Sequence, residues 1–197
     1  MLHSKFYALE FIINMLTLEE ILIGIIRIIG SIPTLKWAFF GSLFAVFVDL
    51  SDLFWKDYLH LGGIRNYQAF DKIFDLVYMS VFLVVAWRWG GIFAKIALYL
   101  FIFRIIGMML FEFTDRRFFL LIFPNIFEFW FIFTALARKL WAEKSQKVNF
   151  IVYSLVLCTF FKLIHEWVLH GGKYFDRWGF FEFMSLLFNF LRGSGWG

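Results

Sequence analysis

Long apolar runs, interrupted only by scattered ionisable residues, occupy nearly all of this 197-residue chain. Hydrophobic residues make up 62% of it. A water-soluble domain of this length has no core large enough to hide so much apolar surface. Hydrocarbon as solvent removes the difficulty, and each crossing needs about 20 mainly apolar residues. The expected fold is therefore all-α: a polytopic transmembrane helix bundle of about six spans. It is read as one transmembrane domain over residues 1–192, with a disordered tail at 193–197.

The charge pattern narrows the classes further. A net charge of +4 fits loop Lys and Arg facing anionic lipid. It does not fit a nucleic-acid surface, because no basic stripe is interleaved with polar recognition residues. The single cysteine, Cys158, excludes an internal disulfide and lies in an apolar run, as a packed residue does. Glu10, Glu19 and Glu20 interrupt the N-terminal apolar stretch and no small-residue cleavage site follows, which argues against a cleavable signal. An integral membrane location is expected, in the plasma membrane for a prokaryotic source.

The six apolar segments are Phe11 to Thr34, Trp37 to Leu53, Ala69 to Trp89, Ile92 to Phe113, Phe118 to Ala137 and Asn149 to His170. The first carries Glu19, Glu20 and Arg27, so it either lines a protein interior or lies partly along the interface. Gly62-Gly63 and Gly90-Gly91 mark turns. The aromatic stretch from Tyr174 to Phe190 has the character of an interfacial helix. Lys56, Arg65 and Lys72 mark one loop as cytoplasmic; Arg138, Lys139, Lys144 and Lys147 mark another. Six crossings would put those two loops on opposite sides.

Four acids form a pattern. Asp49 and Asp52 are three apart, and Asp71 and Asp75 are four apart, so each pair shares a helical face. The two pairs sit at the same depth on consecutive segments. Carboxylates brought that close repel one another unless cations lie among them. Hard oxygen ligands select Mg²⁺, Mn²⁺ or Ca²⁺, and a pair of Mg²⁺ or Mn²⁺ ions is a common device for phosphoryl transfer. The alternative is that these acids face loop water and pair with Lys56, Arg65 and Lys72.

The stretches Asp49-Leu50-Ser51-Asp52 and Asp71-Lys72-Ile73-Phe74-Asp75 resemble the aspartate signature of the CDP-alcohol phosphotransferases, D-x2-D-G-x2-A-R followed by G-x3-D-x3-D. Asn14-Met15-Leu16-Thr17 resembles the N-x-L-T stretch that precedes the first span in that family, and Arg104 resembles an arginine at comparable spacing. The resemblance covers roughly the first 110 residues. It implies a membrane-lipid enzyme, possessing a CDP-linked lipid donor and often forming a homodimer. It also implies that Asp49, Asp52, Asp71 and Asp75 hold two Mg²⁺ or Mn²⁺ ions, with Asp75 as the catalytic base. Asn14, Thr17 and Arg104 would serve the nucleotide donor. The chain departs from the signature at Leu53 and Tyr67, which replace glycines, at Lys56-Asp57, which replaces the Ala-Arg pair, and at Glu19-Glu20. The carboxylates are kept, so metal binding is the more direct implication.

Two other clusters carry polar chemistry. His165-Glu166 and His170 differ from a zinc-protease motif, because histidines five apart lie roughly 140° around a helix from each other. Pro124, Asn125 and Glu128 read as a polar seam that binds Arg104 or Lys162 from a neighbouring segment. A non-enzymatic reading is kept beside the transferase: a small membrane transporter or scaffold whose buried charges form a network.

Overall fold

The computed structural model describes residues 17–51, 67–114, 116 and 118–166. Every regular element among them is helical: α1 (Leu18–Ser31), a 3-10 turn (Ile32–Leu35), α2 (Ala38–Leu50), α3 (Tyr67–Trp89), α4 (Gly91–Thr114), α5 (Phe118–Ile122), α6 (Ile126–Leu140), α7 (Ala142–Ser145) and α8 (Val148–Glu166). The chain divides into two compact units, Met1–Leu98 and Tyr99–Gly197, with the boundary inside α4.

In the first unit, α1 begins where Thr17 and Glu20 close a capping box. The Thr17 hydroxyl accepts from the Glu20 amide at 3.1 Å, and the Glu20 carboxylate accepts from the Thr17 amide at 2.8 Å. Two of the helix's first unpaired donors are thereby satisfied. The helix ends as Pro33 enters the 3-10 turn.

The distribution of residues around α1 is inverted relative to a helix in water. Its buried residues are Glu19, Glu20, Ile23, Gly24, Arg27, Gly30 and Ser31. Leu18, Leu22, Ile25, Ile28 and Ile29 lie on the exposed face. Helix α2 buries Gly41, Ser42, Ala45 and Val48 and exposes Phe40, Leu43, Phe44 and Phe47. Small residues inside and large apolar ones outside is the packing that helices adopt in lipid.

Close approach is set by glycine at the turn. A β-carbon on Gly41 would lie 2.3 Å from the Thr34 amide nitrogen, so α2 rests directly on the 3-10 backbone. Gly41→Ala is expected to force the two apart, at a cost of about 1–3 kcal/mol. Thermal unfolding in detergent checks this, with Leu43→Ala on the exposed face as the milder comparison.

Helix α3 packs on α1, α2 and the turn. Phe70, Tyr78, Met79, Phe82, Val85 and Ala86 form its buried face. At its far end the Arg88 guanidinium donates to the Leu35 carbonyl at 3.1 Å. Gly90 and Gly91 then turn the chain into α4 with φ of +71° and +53°, a region that glycine enters without steric cost. This is the break expected from the sequence.

In the second unit, Phe127, Trp130 and Phe131 are fully buried. Helix α6 packs against α8, which buries Ile151, Ser154, Cys158 and Lys162 and exposes Val152, Tyr153, Val156, Phe160 and Phe161. It repeats the inverted pattern of α1.

Two stretches, Gly91–Thr114 and Phe118–Leu140, are long and apolar enough to cross a membrane. The second is interrupted between α5 and α6, around Pro124. Ala38–Leu50 and Val148–Ile164 are apolar but shorter. The 14 residues of α1 rise about 21 Å, less than the roughly 30 Å of a hydrocarbon core. Expected segment ends also move: α6 continues through Arg138 and Lys139 to Leu140, so the basic loop is shorter than the sequence suggested.

Candidate functional site

The chemistry of the first unit gathers around Arg27. Helix α1 presents it on its buried face, where it is 4% exposed. Asp49, in the last turn of α2, forms an ion pair with its Nη2 atom. Asp75, on α3, accepts from the same Nη2 at 3.3 Å and is itself buried. Oδ1 atoms from two helices therefore share one nitrogen of a third.

Packing fixes the guanidinium. The Phe74 ring lies with its centroid 5.8 Å from the Arg27 Cζ. Gly24 leaves room for that ring, since a β-carbon there would lie 2.5 Å from Phe74 Cζ. Away from water the attraction between a guanidinium and a carboxylate is strong. Farther along the same buried face sit Glu19 and Glu20, the latter held in the capping box.

The acid pattern is thus partly assembled. Asp49 and Asp75 meet, while Asp71 lies on α3 one turn before Asp75. The Asp71 side chain, Asp52 and Asn14 fall outside the described residues, as do His170 and the expected interfacial and tail segments. Thr17 serves as the cap of α1. Arg104 belongs to the second unit, where its Nη1 donates to the Phe123 carbonyl at 3.0 Å.

Among the described residues, no three or more His, Cys, Asp or Glu side chains gather as a metal-holding group. Carboxylate oxygens are the donors that Mg²⁺ and Mn²⁺ take. Arg27 holds the point between Asp49 and Asp75.

The second unit has a polar seam of its own. The Asn125 side chain caps α6 by accepting from the Glu128 amide at 3.4 Å, and its Nδ2 donates to Glu128 Oε2 at 3.1 Å. Lys162 Nζ, from α8, pairs with that Oε2 at 3.9 Å and lies 5.0 Å from the Phe129 ring centroid. Pro124 has no amide hydrogen to offer the preceding turn, and the nearby Phe123 carbonyl is the one that Arg104 engages. Of the two bases expected at the seam, Lys162 reaches Glu128, while Arg104 engages the adjacent Phe123 carbonyl.

Sequence reasoning missed two features of the first unit. One is the partner of Arg27, for which a lone base inside an apolar segment was the only signal. The other is the capping box, spelled out by Thr17-Leu18-Glu19-Glu20. Comparison with known proteins gives no match to a family model, a curated protein or a solved structure.

Proposed function

We propose that this chain is an integral membrane protein of about six spans whose acid centre is the cation-holding site of a phosphotransferase resembling the CDP-alcohol phosphotransferases. The observation that carries this reading is the meeting of Asp49 and Asp75 at Arg27. These are the first and last acids of the four-aspartate pattern, and they arrive from different helices. The inverted faces of α1 and α8 support the membrane setting, because charges face inward and Leu, Ile, Val and Phe face outward.

In this reading Asp49, Asp52 and Asp71 would hold two divalent ions, with Asp75 completing the set. Bound Mg²⁺ or Mn²⁺ supplies charge neutralisation to the diphosphate of a CDP-linked lipid donor. Asp75 takes the proton of the acceptor hydroxyl as that oxygen attacks phosphorus, and CMP leaves. Arg27 is a positioning residue: it holds the Asp49 and Asp75 carboxylates to one point from a third helix. Burial beneath Phe74 keeps bulk water from competing for the guanidinium.

Purified protein in mixed micelles with CDP-diacylglycerol and a panel of acceptor alcohols tests this. Divalent-dependent CMP release is expected, reduced at least about 100-fold in Asp75→Asn, in line with loss of a general base. A second reading, a non-enzymatic scaffold or transporter, draws on the ion pairs that both units bury, Arg27 with Asp49 and Asp75, and Lys162 with Glu128. Absence of CMP release across the panel with Mn²⁺ present, or an Asp75→Asn variant as active as wild type, would displace the transferase in its favour.

A further inference from the structure

We propose that one end of the first unit, built from the 3-10 turn, the last turn of α3 and the first turns of α4, is a docking surface for the headgroups of anionic phospholipids. The inference rests on the membrane setting proposed above and not on catalysis.

Charge is sorted along this unit. Asp49 and Asp75 meet Arg27 at one level of the helices. Arg88 follows Asp75 by 13 residues, about 20 Å along α3. There its Nη1 donates to the Leu35 carbonyl at 3.1 Å, which ties the end of α3 to the 3-10 turn. Lys36 closes that turn, and Lys95 lies in the second turn of α4, just past the Gly90-Gly91 break. All three bases are exposed. The sequence holds no acid between Arg27 and Asp49, or between Asp75 and Glu112, so the segments that build this end bring bases alone. Such a surface favours a headgroup of net negative charge over a zwitterionic one.

Tryptophan accompanies Lys36 and Arg88. The Lys36 Nζ lies 5.0 Å from the Trp37 ring centroid. Trp87 and Trp89 flank Arg88 in sequence, and Trp89 meets Phe93 edge-to-face across the glycine turn, with centroids 6.2 Å apart. Trp37 and Trp87 are 58% and 61% exposed. An indole has an apolar body and one polar N–H, which suits the level where acyl chains give way to headgroups. Away from this end the outer surface is purely apolar, with Phe40, Leu43 and Phe44 exposed on α2 and Val84 on α3. Apolar side chains, then indoles, then bases follow the profile of a bilayer from acyl chain to phosphate. A β-carbon on Gly90 or Gly91 would meet nothing within 4 Å, so the turn leaves space beside the bases for a headgroup.

The test uses the full chain in bilayers of dibrominated phosphatidylcholine into which unlabelled phosphatidylglycerol is mixed. A bimane label carried by Val84→Cys in a Cys158→Ala background sits one helical turn before Arg88. Bromine quenches it, and phosphatidylglycerol relieves the quenching as it takes the adjoining lipid position. The parent chain is expected to favour phosphatidylglycerol at least about fivefold at low salt, the contribution of one base near a membrane surface. About 0.5 M salt should remove most of that preference, because exposed charges are screened. K36Q/R88Q/K95Q should show no preference. K36Q/K95Q, which leaves the Arg88–Leu35 contact in place, should reduce it at least about twofold. Arg88→Lys should keep it, as should R138Q/K139Q/K144Q, which removes the same charge from the second unit.

Equal affinity for the two lipids in the parent chain would overturn the proposal, and so would a preference that survives K36Q/K95Q and K36Q/R88Q/K95Q undiminished. Loss of the preference in R138Q/K139Q/K144Q would also overturn it, since net charge rather than this surface would then select the lipid. A label that dibrominated phosphatidylcholine fails to quench sinks the membrane setting and this proposal with it. Full quenching without a preference sinks this proposal alone.

Discussion

Arg27→Leu is expected to destabilise the protein in metal-free buffer by about 3–5 kcal/mol, the cost of leaving buried charge without its partner. Asp49 and Asp75 both lean on the one Nη2, so a single substitution removes a contact from two carboxylates at once. The effect should exceed that of losing any one contact on the outward face of α1. The triple variant R27L/D49N/D75N should recover most of the loss, because a buried ion cluster exchanged for neutral groups of similar shape costs little. Reversible unfolding in mixed micelles gives the numbers. A single variant as stable as wild type would mean that Arg27 is solvated and that the three helices are held by apolar packing alone.

Lys162→Met is the counterpart in the second unit. It leaves Glu128 in the seam between α6 and α8 with the Asn125 amide as a remaining donor. The Lys162–Glu128 separation is 3.9 Å, long for an ion pair, and Asn125 softens the loss. The expected cost sits at the low end of the range for broken buried pairs, about 3 kcal/mol. Glu128→Gln combined with Lys162→Met should restore much of it, since Gln keeps the acceptor that Asn125 uses. Unfolding midpoints of the two singles and the double form a cycle. Additive single effects would show that the two side chains do not interact, and that Lys162 contributes only through Phe129.

The sequence made the helices legible because their signals are local. The Gly90-Gly91 break and the aspartate spacing on α3 needed only the chain's own periodicity. The seam was legible too, since Pro124 disrupts backbone bonding and Glu128 inside an apolar segment needs a base. What escaped is rotational. Spacing says that acids three apart share a helical face, but not which neighbour the Asp49 face of α2 meets. Arg27 was visible as a misfit, yet no local rule joins it to residues on two other helices. The α5–α6 interruption was legible only as a proline, because a span can kink there or stop. The run of α6 through Arg138 and Lys139 escaped because charges were expected to belong to loops. A helix end tolerates such bases, which complement its negative pole.

The claim on which the rest stands is that the chain faces lipid with its apolar residues and keeps its charges inside. Spin labels placed singly at Ile25 and Ile29 on α1, and at Val156 and Phe160 on α8, read this directly in reconstituted bilayers. All four positions are exposed apolar residues on helices whose opposite faces bury Arg27 and Lys162. Relaxation by molecular oxygen should be strong and relaxation by a water-soluble nickel chelate weak at all four. Strong nickel relaxation at these positions would place them in water, and the inverted helices would then need a protein partner rather than a membrane to cover them.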